Sequence, residues 1–156
     1  MVMKATLRIN RDGLRRLAER SPHLYRQGCL RMGQAVESEA VKLVAKPGFL
    51  KQPTGALAQS IQTRLSFKRG RPGAIVSATA LYARYVHEGT GIYGPMKRQI
   101  EPVRAKALMF QVDGRTVFAR SVKGMKPRPF FTEAIKRVFP GKVREIWRKV
   151  GIEVFR

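Results

Sequence analysis

Residues 21–48 read SPHLYRQGCLRMGQAVESEAVKLVAKPG, the pattern of one long helix around which the other elements must pack. Ser21-Pro22 is a helix start. A serine oxygen can accept from the orphan amides of a first helical turn, and proline, which lacks an N–H, is tolerated at the first helical position. Downstream, Cys29, Gly33, Val36, Ala40, Leu43 and Val44 recur three and four residues apart, which lines them along one stripe of a 3.6-residue helix. Arg26, Arg31, Glu37, Glu39 and Lys42 fall on the other face, and Pro47-Gly48 ends the run. The spacing predicts a helix over 22–46 with one apolar stripe, and such a stripe needs a sheet or another helix to cover it.

Residues 1–10 alternate (Met3, Ala5, Leu7 and Ile9 apolar) as a short strand does, and Asp12 can cap a short helix carrying Leu14, Leu17 and Ala18. After the long helix comes a loop over 46–56 with Pro47, Gly48, Pro53 and Gly55. Thr54 is placed to cap a helical turn through Leu57 and Ser60. Ile61, Thr63, Leu65 and Phe67 alternate as one face of a strand. Lys68 to Gly73 is a turn, and 74–79 returns with Ile75 or Val76 inward, giving a hairpin over 61–79. Ala80 to Glu88 suits a short helix with Leu81, Tyr82, Tyr85 and Val86 packing inward, broken by Gly89-Thr90-Gly91. A loop over 91–104 follows, then a second hairpin over 107–122, its strands 107–112 and 116–122 joined at the tight-turn dipeptide Asp113-Gly114. Pro127 and Pro129 mark one more loop. The C-terminal helix, 130–154, carries Phe131, Ala134, Ile135, Val138, Val143, Ile146, Trp147 and Val150, and must kink or split at Pro140-Gly141. The class is α+β: a single domain over 1–156 whose antiparallel sheet is built from hairpins and packed by a long helix in the N-terminal half and by a C-terminal helix. The stripe Val36, Ala40, Leu43 and Val44 is expected to lie on one sheet made of 61–67, 74–79, 107–112 and 116–122. The loops 68–73 and 91–104 are expected to be exposed.

The chain has 156 residues, 44% of them hydrophobic, enough for a real core. No apolar run approaches the roughly 18 residues of a membrane helix, and Met1 to Asn10 lacks the apolar stretch of a secretory signal. A lone cysteine, Cys29, excludes an intramolecular disulfide and a cysteine-based zinc site, and suits a reducing folding compartment. The charge is the strongest compositional signal. Thirty-two Lys+Arg against 10 Asp+Glu give +22, spread as +7 over residues 1–54 and +15 over 55–156. Such an excess points to a polyanion or to acidic partner proteins. Arginines outnumber lysines 20 to 12, which suits planar contact with phosphate or carboxylate. Basic clusters fall at 68–71, Lys97-Arg98, 104–106, 123–128 and 144–149.

Enzyme chemistry finds little footing. His87, Glu88 and Glu101 are the residues a metal nuclease would draw on, yet no pair has the spacing of a ligand motif; a surface histidine beside an ordinary glutamate is the simpler reading. Asp113 is used by its turn, and neither a nucleophile elbow nor a phosphate-binding loop occurs. No helix-turn-helix, zinc-finger or RNA-platform signature occurs either, so DNA contact would be electrostatic and sequence-independent. The aromatic set Tyr82, Tyr85, Phe130, Phe131 and Trp147 is read as core rather than as a base-stacking surface.

Three stretches carry a resemblance: Thr54-Gly55-Ala56-Leu57-Ala58-Gln59-Ser60-Ile61, Leu81-Tyr82-Ala83-Arg84-Tyr85-Val86-His87-Glu88-Gly89-Thr90-Gly91, and Lys126-Pro127-Arg128-Pro129-Phe130-Phe131-Thr132-Glu133-Ala134. In this order, across residues 22–138, they resemble the tail-completion and head–tail joining proteins of long-tailed bacteriophages, also called neck or minor tail components. His87 departs from the pattern before Glu88-Gly89-Thr90. The resemblance implies an α+β fold and a homo-oligomeric ring, commonly sixfold, at the neck or the head-proximal tail end. It implies contacts with neighbouring connector and tail-tube proteins, residence in the virion after synthesis in the host bacterial cytoplasm, and no catalysis, cofactor, metal or small-molecule substrate. Membrane contact is not expected. Residues placed at subunit or partner contacts are Arg69, Arg71, Tyr85, Glu88, Thr90, Lys97, Arg98, Pro129 and Phe130. Arg64, Lys68, Arg69 and Arg71 are candidates for lining a DNA channel or for docking, and a protruding hairpin tip reaches a neighbour more easily than it lines a bore. The alternative reading is a free-standing, non-specific DNA-binding module.

Overall fold

The computed structural model describes residues 3–7, 12–50, 55–68, 71–112, 114–139 and 141–154. The sequence is read as one domain; the chain divides into two compact units, the first made of residues 1–81 with 130–156 and the second of 82–129.

In the first unit a strand β1 (Met3–Leu7) and a helix α1 (Asp12–Arg20) precede the long helix α2 (Pro22–Val44). A single-turn helix α3 (Ala56–Gln59) leads into the hairpin β2 (Ile61–Lys68) and β3 (Arg71–Ala78), and the unit closes with α5 (Phe130–Val138) and α6 (Gly141–Val154) after the short α4 (Ala83–Glu88) of the second unit. The sheet is antiparallel in the order β1-β3-β2, so β3 is paired on both edges. Its register puts Ala78, Val76 and Ala74 opposite Ile61, Thr63 and Leu65 on one side and opposite Met3, Ala5 and Leu7 on the other. Residues paired across β2 and β3 share a face; α2 covers this one, and Ile61, Ala74, Val76 and Ala78 are buried there.

Helix α2 has two covered faces. Cys29, Gly33, Val36, Ala40, Leu43 and Val44 are buried, as the periodicity predicts, but Gly28 and Met32 are buried too. Against the sheet, Arg26 lies 5.3 Å over the Phe67 ring, the Cys29 thiol points at the Pro72 carbonyl at 3.8 Å, and Gly33 abuts Thr63 and Ala74. Against the C-terminal helices, Trp147 stacks on Tyr25 at 5.4 Å, covers Gly28, and donates its indole N–H to the Met32 sulfur at 3.0 Å. Glu39 then takes Lys142 at 2.7 Å and Lys42 at 3.2 Å, and these ammonium groups hold its carboxyl below the usual carboxylate range. Phe130 and Phe131 insert beside α2 with their rings 4.6 Å apart, and Phe49 meets Phe130 edge-on at 6.4 Å.

Three local expectations change and one holds. Ser21 precedes Pro22 at the helix start but makes no side-chain cap hydrogen bond; its backbone N–H instead bonds the Leu17 carbonyl as the end of α1, so the two helices abut without a loop. The strands run further than the expected turn at 68–73 allows: Lys68 pairs with Arg71 and Phe67 with Pro72. Proline fits there because the pair next to the closing hydrogen-bonded pair exchanges no N–H. The C-terminal helix splits as expected, α5 ending at Val138 and α6 beginning at Gly141. Finally, the second hairpin is not part of the main sheet. It is a separate two-stranded sheet, β4 (Leu108–Val112) with β5 (Arg115–Ala119), and the stripe on α2 is covered by β2 and β3 without it. Thr54, read as a cap, and Asp113 lie outside the described residues; Gly55 precedes α3 in a left-handed conformation.

The contact at Gly33 generates a prediction. A Cβ there would overlap Thr63 Cγ2 and approach Ala74 Cβ to 2.8 Å, both short, stiff side chains. Gly33→Ala should therefore lower unfolding free energy by about 1–3 kcal/mol, the usual penalty of overpacking, although alanine is the better helix former by about 1 kcal/mol. Gln34→Ala, on the exposed side of the same turn, should change it by less than about 0.5 kcal/mol. Urea denaturation followed by circular dichroism measures both.

Candidate functional site

The second unit brings together two of the stretches that carry the resemblance. Helix α4 (Ala83–Glu88) buries Ala83 and Val86, three residues apart. That spacing leaves Tyr82 and Tyr85 on the outside, with Tyr85 59% exposed, and Leu81 is exposed as well. The expectation that Leu81, Tyr82 and Tyr85 pack inward is therefore corrected: a six-residue helix has one narrow inner face, and the small Ala83 occupies it. The aromatic set separates accordingly. Phe130 and Phe131 are core, Trp147 is half-buried on α2, and the two tyrosines face out.

After α4 the chain runs alongside residues 122–128. The Arg128 amide donates to the Val86 carbonyl at 2.9 Å, the Thr90 amide to the Met125 carbonyl at 2.9 Å, and the Ile92 amide to the Lys123 carbonyl at 2.9 Å. The Met125 amide returns a bond to Thr90 Oγ1 at 2.9 Å, and Ile100 and Val122 exchange both of their backbone bonds. Main chain lies so close to main chain that only glycine fits at the crossing. A Cβ on Gly91 would collide with the Lys123 carbonyl, and one on Gly124 with the Thr90 carbonyl; both glycines also have positive φ, 64° and 89°. The sequence shows these glycines as loop-formers. Their second role, as the bare contact surfaces of a backbone strap, depends on a segment thirty residues away and has no local signal.

The predicted contact residues separate by position. Thr90 is committed inside the chain, since its hydroxyl accepts from Met125. Phe130 is 1% exposed in its own core, so its assignment to a subunit contact is corrected: the apolar ring is delivered to Phe131 and Phe49 rather than to a neighbour. Tyr85, Lys97, Arg98 and Pro129 are exposed, and Lys97 adopts a positive φ of 49° in its turn. Glu88 is bonded to Arg84 at 2.8 Å on the same helix. Arg64 is exposed on the sheet face away from α2, beside Gln62. Lys68 ends β2 and Arg71 begins β3, while Arg69 lies outside the described residues. Among the described residues no three His, Cys, Asp or Glu side chains gather as a metal site would, and His87, Glu88 and Glu101 do not form one. No described helix is long and apolar enough to cross a membrane.

The exposed apolar side chains of the second unit have no local signal in the sequence. Eleven of the fourteen large apolar side chains exposed among the described residues lie in this second unit, from Tyr82 to Phe118. The alternation of β4 and β5 resembles that of any half-buried strand, so it gives no sign that the face of Met109 and Phe118 stands open.

Two predictions follow from the strap and from α4. Thr90→Val keeps the shape and removes the acceptor for the Met125 amide. It should cost about 1 kcal/mol locally, read as roughly fivefold faster hydrogen exchange at Met125, with Thr90→Ser near wild type. His87 is half-buried, and loss of hydration pushes its imidazole below the ordinary value of 6.5, against the opposing pull of the Glu88 carboxylate. The unfolded chain then binds a proton that the folded chain refuses, so the contribution is present above pH 6.5 and is lost as pH falls below it. The melting temperature should drop between pH 7 and 5, and His87→Gln should flatten that drop.

Comparison with protein-family models, with curated proteins and with solved structures finds no match to this chain.

Proposed function

We propose that the chain is a structural protein of a tailed-bacteriophage particle. It forms a ring of identical subunits at the neck or the head-proximal end of the tail, where it completes the tail or joins it to the head. The observation that carries this reading is the concentration of exposed large apolar side chains in residues 82–118, on a unit whose backbone is tied by the strap. Surfaces of that kind serve protein contact, and an assembly protein needs several. The sequence resemblance supplies the direction, because the stretches 82–91 and 126–128 on which it rests meet in that strap.

The charge supports the reading on a second count. A subunit of +22 repels its copies unless acidic neighbours or DNA offset it. In a neck, adjoining rings and the packaged duplex provide both. Contact with DNA would be through phosphate alone, by Arg64 and the basic residues around the β2–β3 turn. A free-standing DNA-binding module remains the competing assignment for the charge, and it leaves the exposed apolar unit without a use.

Electron microscopy tests the proposal. The purified protein, or particles containing it, should show rings in line with the tail axis, and antibody label should fall at the head–tail junction. A chain that stays monomeric, enters no particle and retards duplex DNA at about 0.15 M salt would make the DNA-binding module the correct assignment. Within the neck reading, Arg69→Glu with Arg71→Glu should release tails unattached to heads if the β2–β3 tip docks on protein. Intact particles that retain or eject DNA poorly would assign the tip to the channel.

A further inference from the structure

The β4–β5 hairpin is an isolated two-stranded sheet, a form that is marginal in water unless something covers it. Its register sets Met109 opposite Phe118 on one face and Phe110 opposite Val117 on the other. Met109 is 70% exposed and Phe118 68%, and Phe110 and Val112 are exposed on the reverse side. The Met109–Phe118 face thus stands open, while the reverse face is partly covered, its Leu108, Val117 and Ala119 half-buried beside Phe110 and Val112. The hairpin itself is almost uncharged: between Leu108 and Ala119 only Asp113 and Arg115 are ionic. Its root is strongly cationic. Residues 97–106 hold four Lys or Arg against one Glu, and residues 120–128 hold four with no acid.

We propose that this hairpin is a docking arm that seats in an apolar surface rimmed by Asp and Glu on a different protein. Charge selects the occupant. A second copy of the chain, seated hairpin to hairpin, would set one cationic root against another, each with a single acid, Glu101. Duplex DNA would suit the root but not the ribbon: a ribbon in a groove holds the flanking phosphates with basic groups along its length even where it inserts an apolar wedge, and between Leu108 and Ala119 only Arg115 is basic. An acid-rimmed apolar seat satisfies both halves: burial of Met109, Phe110 and Phe118 supplies the apolar contact, and Arg104, Lys106, Arg120 and Lys123 meet the rim. The open strand edges add backbone donors and acceptors to the join. The proposal rests on the neck reading only for where the partner is to be sought.

The test uses the full-length chain with the photo-cross-linking residue p-benzoylphenylalanine replacing Phe118, and separately Met109, in cells that make the native partners. Each variant is first checked for the wild-type circular dichroism spectrum, and the second position serves if the first disturbs folding. The expected result is a cross-link that mass spectrometry maps to an apolar residue of another protein with Asp or Glu on the surrounding surface. Reversing the root with Arg120→Glu and Lys123→Glu should reduce its yield about tenfold or more. A cross-link to a second copy, a cross-link to DNA, no cross-link at either position, or a yield indifferent to the charge reversal overturns the proposal. Sedimentation of the same chains with particles is scored separately. Chains in particles without the expected cross-link reject the arm and leave the neck reading standing. The expected cross-link on chains that never enter particles supports the arm and rejects the neck reading.

Discussion

Close approach without side chains is the constraint on which the first unit depends. Helix α2 is covered on two sides, and each contact has a glycine where a methyl group would not fit: Gly33 against Thr63 and Ala74, Gly28 under the Trp147 ring. The two lie five residues apart, so they point to different sides of the helix. One opens the way for the sheet and the other for α6. The central strand β3 then ties β1 to the β2–β3 hairpin through pairing on both edges. Interiors pack at nearly crystalline density, so a helix held on two faces has little freedom to slide.

The second unit solves a different problem by the same means. It has few buried side chains of its own, and its order comes from main chain bonded to main chain between 86–92 and 122–128. Gly91 and Gly124 allow that approach. A strap held by backbone leaves the side chains of the surrounding segments uncommitted to a core, and here they are Tyr82, Tyr85, Met96, Met109 and Phe118. Large apolar groups can therefore stand on the surface without weakening the unit that bears them.

Much of the first unit was legible because helical and strand periodicities report burial directly. Val36, Ala40, Leu43 and Val44 repeat at helical spacing and are all buried, and the alternation Ile61, Thr63, Leu65, Phe67 marks the α2 side of the strand, although burial reaches only its Ile61 end and Leu65 and Phe67 stay exposed. What escaped was whatever depends on a partner remote in sequence. Met32 and Gly28 look like ordinary members of a polar flank until Trp147 is placed over them. The β4–β5 hairpin was recognisable as a hairpin from Asp113-Gly114, but which sheet it joins is not written in its own residues. Tyr85 and Phe130, both assigned to contacts, parted for a similar reason: composition cannot tell an aromatic ring that fills a core from one that waits outside it.

Cys29 gives the architecture an experimental handle. It is the chain's single thiol, buried at the α2–sheet contact and aimed at Pro72, and loss of hydration pushes its ionisation above the ordinary cysteine value, with the Tyr25 hydroxyl pulling the other way. A protonated, covered thiol is a poor nucleophile. Reaction with a maleimide or a disulfide reagent must therefore await the parting of α2 from β3, and its rate counts those openings. The native sequence carries, without any added label, a clock for the breathing of its own principal interface, readable in the free subunit and again after assembly.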